Sequence, residues 1–270
     1  MEVDKYILTE ALSAVLGVTV KLQSDCEDLG AITLQIANLT TLALLKNETQ
    51  PVTCLTSTLT RLFFGDEKKA QEIQEFESAS FSLRKELFVI SDDFFDPKFD
   101  FDFTNMSEPE YDACVRGDEP YKRPYGWMRF ALNVQDKYPD GNAWLGTDGW
   151  RSHSAPGEWP VSYYGTDFQG AEGIIRSQYI AGDGLHAYGR GIYSSPDINV
   201  ADVFAQTNFT SQKNGKTYKV IMQNRINPEK REIKNKDIWL VPIPEGTSAK
   251  KEKEIVESSI RPYGLLLKKM

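Results

Sequence analysis

The sequence changes character near residue 91, and that change limits the folds open to the chain. Before it, apolar side chains recur every three or four residues, as on the buried face of an amphipathic helix. After residue 105, glycines and aromatic residues become frequent, and short segments alternate between polar and apolar side chains as in strands. We therefore predict an all-α helical bundle over residues 1–90 and an α+β domain over residues 105–270.

Four apolar stripes support the predicted bundle. Each has the spacing that buries one face of a helix against its neighbours. The Gly65-Asp66 pair ends the third stripe and lets the fourth begin. The stripes comprise Tyr6, Ala11, Leu12, Val15 and Leu16; Ile32, Ile36, Leu39 and Ala43; Leu55, Leu59, Leu62 and Phe63; and Ala70, Ile73, Phe76, Leu83 and Leu87.

Residues 91–104 join the two predicted domains. Acidic and aromatic side chains alternate there around Pro97, in the order Ser-Asp-Asp-Phe-Phe-Asp-Pro-Lys-Phe-Asp-Phe-Asp-Phe-Thr. This pattern favours a linker or an edge strand whose phenylalanines pack on a neighbouring domain. A short segment that recognises a partner is the alternative.

Several segments of the second domain have the alternation and the boundaries of strands. One of them ends before Pro228, and another leads into the turn signal Tyr138-Pro-Asp-Gly and is read as a strand or a short helix. Helices are predicted to begin at Thr166 and to cover residues 201–205. The predicted strands cover residues 126–134, 218–226, 237–244 and 264–270.

Composition and charge narrow the classes of function. The formal net charge is −8, from 31 basic and 39 acidic side chains, which argues against a dedicated duplex-binding protein. Three cysteines without a C-x-x-C pair argue against a zinc ribbon or a disulfide scaffold, and the two histidines have no metal-ligand spacing. Since no apolar run is long enough to span a membrane and the start lacks a secretory layout, we expect a cytoplasmic protein without a membrane partner.

The chain has no Gly-x-Ser-x-Gly elbow, Walker loop or His-Glu-x-x-His, so the common catalytic patterns are absent from the sequence. Two other motifs stand out. The first is Tyr164-Gly-Thr with a helix start, and the second is Gly189-Arg-Gly-Ile-Tyr with a helix after it. Together they resemble the catalytic core of the diphtheria-toxin-like ADP-ribosyltransferases, the branch that includes the poly(ADP-ribose) polymerases. The resemblance covers about residues 120 to 270 and implies a split β-sheet and NAD as the substrate.

The resemblance assigns roles to residues around the nicotinamide end of NAD. Gly165 would let the carboxamide reach bare backbone, and Thr166 follows it in the first motif. Tyr193 and Phe204, eleven residues apart, would hold the nicotinamide ring between two aromatic faces. The glycine-rich loop that carries His186 is similar to the family's variable loop over the NAD, so Thr166 and His186 are also predicted to bind NAD.

Three positions depart from the family pattern. Tyr164 replaces the histidine that contacts a ribose hydroxyl, and Ala201 replaces the serine that contacts the carboxamide. The third motif, a glutamate near the start of a later strand, falls at Asp237, whose carboxylate would stabilise positive charge at C1′ of the ribose. Glu257 and then Gln223 are the alternatives for this position.

The function implied by the resemblance is transfer of ADP-ribose from NAD to a macromolecular acceptor, with release of nicotinamide. Tyr164, Tyr193 and Asp237 would be the catalytic residues. A protein acceptor is expected rather than a nucleic acid, given the acidic balance. Because of the tyrosine at position 164, the alternative is a catalytically silent relative that binds NAD, ADP-ribose or a protein partner through the same cleft.

Overall fold

The computed structural model describes residues 4–26, 31–47, 87–108, 114–146, 154–165, 188–205 and 207–270. Within these ranges the chain contains both helices and sheets, so the predicted α+β class is confirmed. The helices predicted from the third and fourth apolar stripes, over residues 55–83, lie outside the described ranges. Of the helices within them, none combines the length and the apolarity needed to cross a bilayer.

The N-terminal region differs from the predicted all-α bundle. Helix α1 (Lys5–Leu16) begins at Asp4, whose side chain accepts the Tyr6 N–H, and ends at Gly17 in the left-handed conformation. A three-stranded parallel sheet in the order β1-β3-β2 accompanies it. The strands are β1 (Thr19–Leu22), β2 (Ile32–Thr33) and β3 (Leu87–Ile90), and a second helix, α2, covers Leu39–Asn47.

Tertiary burial explains why the helical prediction is wrong for these strands. Phe88, Val89 and Ile90 form a continuous apolar run in the central strand, and all three are buried. A run of this length fits a buried strand of a parallel sheet as well as a helix, so periodicity does not separate the two. Ile32 and Leu87, which the stripes assign to helices, therefore begin strands.

The segment between the predicted domains contains a two-residue edge strand and three buried phenylalanines, and its role as a linker between domains stays a prediction. Strand β4 (Phe101–Asp102) pairs with β7 (Met128–Ala131) at the edge of the largest sheet. Phe94, Phe95 and Phe103 are buried on either side of that pairing.

The largest sheet has six strands and is centred on two long antiparallel ones, β11 and β14. These two strands pair at nine positions, with one irregularity between Gln223 and Asn224. The order of the sheet is β10-β11-β14-β7-β4, and β8 also pairs with β11. Three of the predicted strands, over residues 126–134, 218–226 and 264–270, therefore form in this sheet. The fourth, over residues 237–244, forms in the second sheet. Within the largest sheet, the bounds are β8 (Val161–Tyr164), β10 (Asn208–Thr210), β11 (Thr217–Ile226) and β14 (Ile260–Lys269).

A second sheet of three strands has the order β12-β13-β9. Gly191 is needed there, because a Cβ at this position would collide with the carbonyl oxygen of Val241 on the neighbouring strand. A small hairpin and two helices complete the described part of the chain. Their bounds are β5 (Val115–Arg116), β6 (Glu119–Pro120), β9 (Gly191–Ser194), α3 (Ile198–Phe204), β12 (Glu232–Asn235), β13 (Ile238–Pro242) and α4 (Ala249–Ser259).

One set of buried apolar side chains extends from α1 to β14. It includes the large side chains of Trp127 and Trp144. The N-terminal helix and strands thus pack into the same core as the sheets. The domain boundary at residues 91–104 stays a prediction.

Arg261 fills the centre of an aromatic cluster near the start of β14. Its guanidinium lies 4.1 Å from the ring centre of Tyr138 and 4.6 Å from that of Trp159. Both oxygens of Asp140 accept hydrogen bonds of 2.8 Å from it. The rings of this cluster therefore pack around a side chain of the same protein.

Candidate functional site

The two antiparallel sheets meet where β8 and β9 touch. Tyr163 and Ser195 form an isolated antiparallel bridge. The Tyr163 N–H donates to the Ser195 carbonyl at 2.7 Å, and the Ser195 N–H donates to the Tyr163 carbonyl at 3.0 Å. Among the described residues, β8 and β9 pair at this position alone. Gly165 follows the bridge by two residues on the first strand, and Tyr193 precedes it by two residues on the second. We call this region, from Tyr163–Gly165 and Tyr193–Ser195, the β8–β9 junction.

Gly165 is in close contact with the end of α3. A Cβ at this position would lie 2.7 Å from the Ala201 carbonyl oxygen and 2.9 Å from the Ala205 nitrogen, and both contacts are too short. Only glycine lets the helix approach this closely without a shift. The glycine is explained by packing, and the ligand contact predicted for its backbone stays a prediction. Phe204, which ends α3 and is buried, lies in the same stretch of helix.

Tyr193 is held in place by its own loop. Its hydroxyl donates to the Gly189 carbonyl at 2.6 Å and accepts from the Tyr188 N–H at 3.3 Å. Burial raises the pKa of Tyr193, so the phenol stays neutral at physiological pH. Tyr193 is also buried, with 6 % exposure, so it can offer a ligand its ring, rather than a proton, only where the surrounding side chains open.

Tyr164 is enclosed more completely than the sequence suggests. The residue has 0 % exposure and pairs with Met222 on β11. The hydrogen bond predicted from its hydroxyl to a ribose therefore requires the surrounding side chains to open.

Asp237 lies at the tip of the hairpin between β12 and β13. Its N–H donates to the Asn235 side chain at 2.8 Å, and its side chain is partly exposed. Since Trp239 pairs with Ser194, the register carries Asp237 to the level of Pro196. That level is three residues from Tyr193, or about 10 Å along a strand.

The two alternatives to Asp237 lie elsewhere. Gln223 is fully buried, where its amide nitrogen donates to the hydroxyls of Tyr121 at 3.2 Å and Tyr163 at 3.4 Å. It shares a face of the sheet with Tyr163, which is the face opposite to Tyr164. Gln223 therefore belongs to a buried structural network.

Glu257 lies on α4, paired with Lys253 at 3.7 Å. Burial raises its pKa, and its carbonyl accepts a hydrogen bond from Arg261. Arg261 belongs to the aromatic cluster at the start of β14, so Glu257 faces that cluster. Of the three candidates, Asp237 is the one whose strand pairs directly with β9.

Thr166 and His186, the other predicted ligand-binding residues, lie outside the described residues. Within the described ranges, no group of three histidine, cysteine or acidic side chains is arranged to hold a metal ion.

Known proteins offer no match. No family model matches the chain, and neither a curated protein nor a solved structure matches it.

An ion-pair network ties α3 to the largest sheet, and sequence reasoning missed it. The Asp202 carboxylate lies 2.5 Å from the Lys219 ammonium and 3.0 Å from that of Lys268. Burial alone would raise the pKa of Asp202, but hydrogen bonds and charge from the two lysines outweigh it and lower the pKa. The sequence does contain one indication of it: Asp202 is the single charged residue in the helix Ile198–Phe204. We call these three residues the Asp202 network.

Proposed function

We propose that the chain uses NAD as a substrate and transfers ADP-ribose from it to a protein acceptor. The observation that carries this proposal is the single β8–β9 bridge between Tyr163 and Ser195, which lies two residues from Gly165 on one strand and two residues from Tyr193 on the other. A divided sheet with a glycine on one strand and a tyrosine on the other is what the resemblance to the diphtheria-toxin-like ADP-ribosyltransferases implies. The helix that contacts Gly165 ends in Phe204, the second aromatic residue of the predicted pair.

The chemistry would begin with the nicotinamide held at the β8–β9 junction. The backbone of Gly165 would bond the carboxamide, and the Tyr193 ring would stack on the cationic pyridinium. As the bond from C1′ to the nicotinamide nitrogen breaks, its electron pair leaves with nicotinamide and the ribose becomes positively charged. The Asp237 carboxylate would stabilise that charge. A nucleophile of the acceptor then bonds to C1′ and releases its proton to solvent.

A second candidate function is a silent module that binds NAD or ADP-ribose in the same place. It is favoured by the complete burial of Tyr164, which replaces the histidine of the related pattern. A residue without exposed surface reaches a ribose only after rearrangement, whereas stacking on the Tyr193 ring needs no contact with Tyr164. The cytoplasmic location predicted from the sequence belongs to both versions of the proposal.

Binding is tested first, by calorimetry on the full chain with NAD and with benzamide, a nicotinamide mimic. Tyr193→Ala should weaken binding by about 1–3 kcal/mol, because a stacking face is lost. Tyr218→Ala is the matched control, since that ring stacks on Phe209 at 5.6 Å in the β10–β11 pair. It should leave the affinity unchanged. A wild-type chain that binds neither ligand at millimolar concentration would refute both functions.

Turnover then separates the two functions. Nicotinamide release and covalent ADP-ribose on protein would be measured for the wild type and for Asp237→Asn. Release that the variant loses, with binding kept, supports the transferase. Binding without release by the wild type assigns the silent module instead.

A further inference from the structure

Helix α3 is too short to hold its own position. It has seven residues, and isolated helices of this length are unstable in water. Its place therefore depends on tertiary contacts. At the start, Asp197 accepts the Asn199 N–H and forms an ion pair with Lys122 at 3.1 Å. Near the end, the Asp202 network ties it to the largest sheet.

The Asp202 network acts on the part of α3 that contacts the junction. Lys219 reaches both the carboxylate of Asp202 and its carbonyl oxygen, the latter at 2.6 Å. The residues on either side of Asp202 along the helix, Ala201 and Phe204–Ala205, are those that lie against Gly165. Moving this turn of helix would move the aromatic ring of Phe204 and the contact with Gly165 together.

We propose that Asp202 is a positioning residue for the ligand site: through Lys219 and Lys268 it fixes the end of α3, and with it Phe204 and the backbone contact with Gly165. The inference rests on the proposed function, in which Phe204 and Gly165 hold the nicotinamide. Asp202 itself would touch no ligand.

The burial of the network favours this role over that of a surface ion pair. The Asp202 side chain is 23 % exposed, and those of Lys219 and Lys268 are 19 % and 40 % exposed. Isolated exposed pairs contribute little, whereas a partly buried carboxylate shared by two cations loses both partners when its charge is removed. The lysines come from the adjacent strands β11 and β14, which pair along most of their length. They therefore give α3 a rigid attachment.

The test uses the full chain with Asp202→Asn, which removes the charge and keeps the shape. Asp202→Glu restores the charge, and Asp140→Asn is the control, because it removes a bidentate partner from Arg261 in the aromatic cluster. Two quantities are measured for each: benzamide affinity, and hydrogen exchange of the Ala205 amide, which donates to Ala201 at 2.9 Å. Amides of β11 and β14 report global opening and serve as the internal reference.

For Asp202→Asn we expect Ala205 exchange about tenfold faster relative to the reference amides, and benzamide affinity about tenfold weaker. Asp202→Glu should recover part of both, and Asp140→Asn should change neither relative to the reference. Unchanged exchange, or faster exchange with unchanged affinity, would overturn the positioning role. A wild type that does not bind benzamide refutes the proposed function and this role with it, while exchange still reports whether Asp202 holds α3.

Discussion

The β11–β14 pair and the β8–β9 junction are both formed by antiparallel backbone pairing, but they differ in how much of each strand is paired. The first pairs at nine positions and the second, among the described residues, at one. Continuous pairing satisfies the backbone groups of both strands, whereas a single bridge leaves the groups beyond it for other partners. Stability is therefore expected to depend on the long pair, and ligand contact on the junction, although β8 and β11 are neighbours in one sheet.

The largest effect is expected beside the long pair, for Glu158→Ala. The Glu158 carboxylate lies 3.0 Å from the Arg225 guanidinium on β11, and both side chains are at most 1 % exposed. Removing the acid leaves a buried cation without its charged partner, so we expect a loss of about 3–5 kcal/mol in the free energy of unfolding. Urea denaturation followed by circular dichroism measures it.

Glu158→Gln is the control, because it can still accept from the Gly117 N–H and from Ser154, which bond the same oxygen at 3.1 and 2.9 Å. It should lose less than Glu158→Ala. A loss below about 1 kcal/mol in Glu158→Ala would contradict the importance assigned to the long pair.

Gly165→Ala addresses the junction. The new methyl group would meet the backbone of α3 at 2.7 Å, so the helix must shift. Overpacking of this kind costs about 1–3 kcal/mol in stability, and benzamide binding should fall below detection because the site changes shape. Gly141→Ala is the comparison, since its Cβ would meet nothing within 4 Å, although its positive φ of 75° adds strain of its own. Retained binding in Gly165→Ala would place the ligand elsewhere.

The contrast between the two regions also shows what the sequence could predict. Strands β11, β13 and β14 were found from alternation and from the prolines and turns that bound them, signals that lie within each segment although the partner strands are distant along the chain. The parallel strands around Phe88 were missed because their run is apolar throughout and does not alternate, and the partner that makes it a strand lies elsewhere in the chain: Thr19 pairs with Leu87. Nothing in a short apolar run records such a partner.

The candidate site likewise has a part that the sequence could predict and a part that it could not. Tyr164, Gly165, Tyr193 and Phe204 were selected from two motifs, and the fold does bring their strands and helix together. The Asp202 network joins residues 17 and 66 positions apart along the chain, so no spacing rule could reveal it. The complete burial of Tyr164 was equally hidden, because it depends on β11 lying beside β8.

Tyr164→His would sharpen the functional side of the comparison. A shorter donor at this position should gain one hydrogen bond to the reacting ribose, about 1–2 kcal/mol, and raise nicotinamide release roughly tenfold. The double variant with Asp237→Ala should lose the gain. Tyr163→His is the matched control on the opposite face of β8, where the native hydroxyl donates to the Lys122 carbonyl at 2.6 Å. An equal gain in both single variants would show that the effect is not specific to the junction.

The smallest effect concerns the pH dependence of the attachment between the two regions. The lysines lower the pKa of Asp202 in the folded chain below its ordinary value of 3.8, despite its partial burial. A lowered carboxyl pKa stabilises the fold at pH values above the unfolded-state pKa, and that stabilisation is lost as the pH falls through the folded-state pKa.

The unfolding free energy of the wild type should therefore exceed that of Asp202→Asn by a constant amount, about 1 kcal/mol or less, above about pH 5. The difference should shrink as the pH falls below 3.8. Denaturant titrations of both proteins across this range measure the difference. If it is independent of pH, the carboxylate does not act through its charge, and the link between the long pair and the junction is one of shape alone.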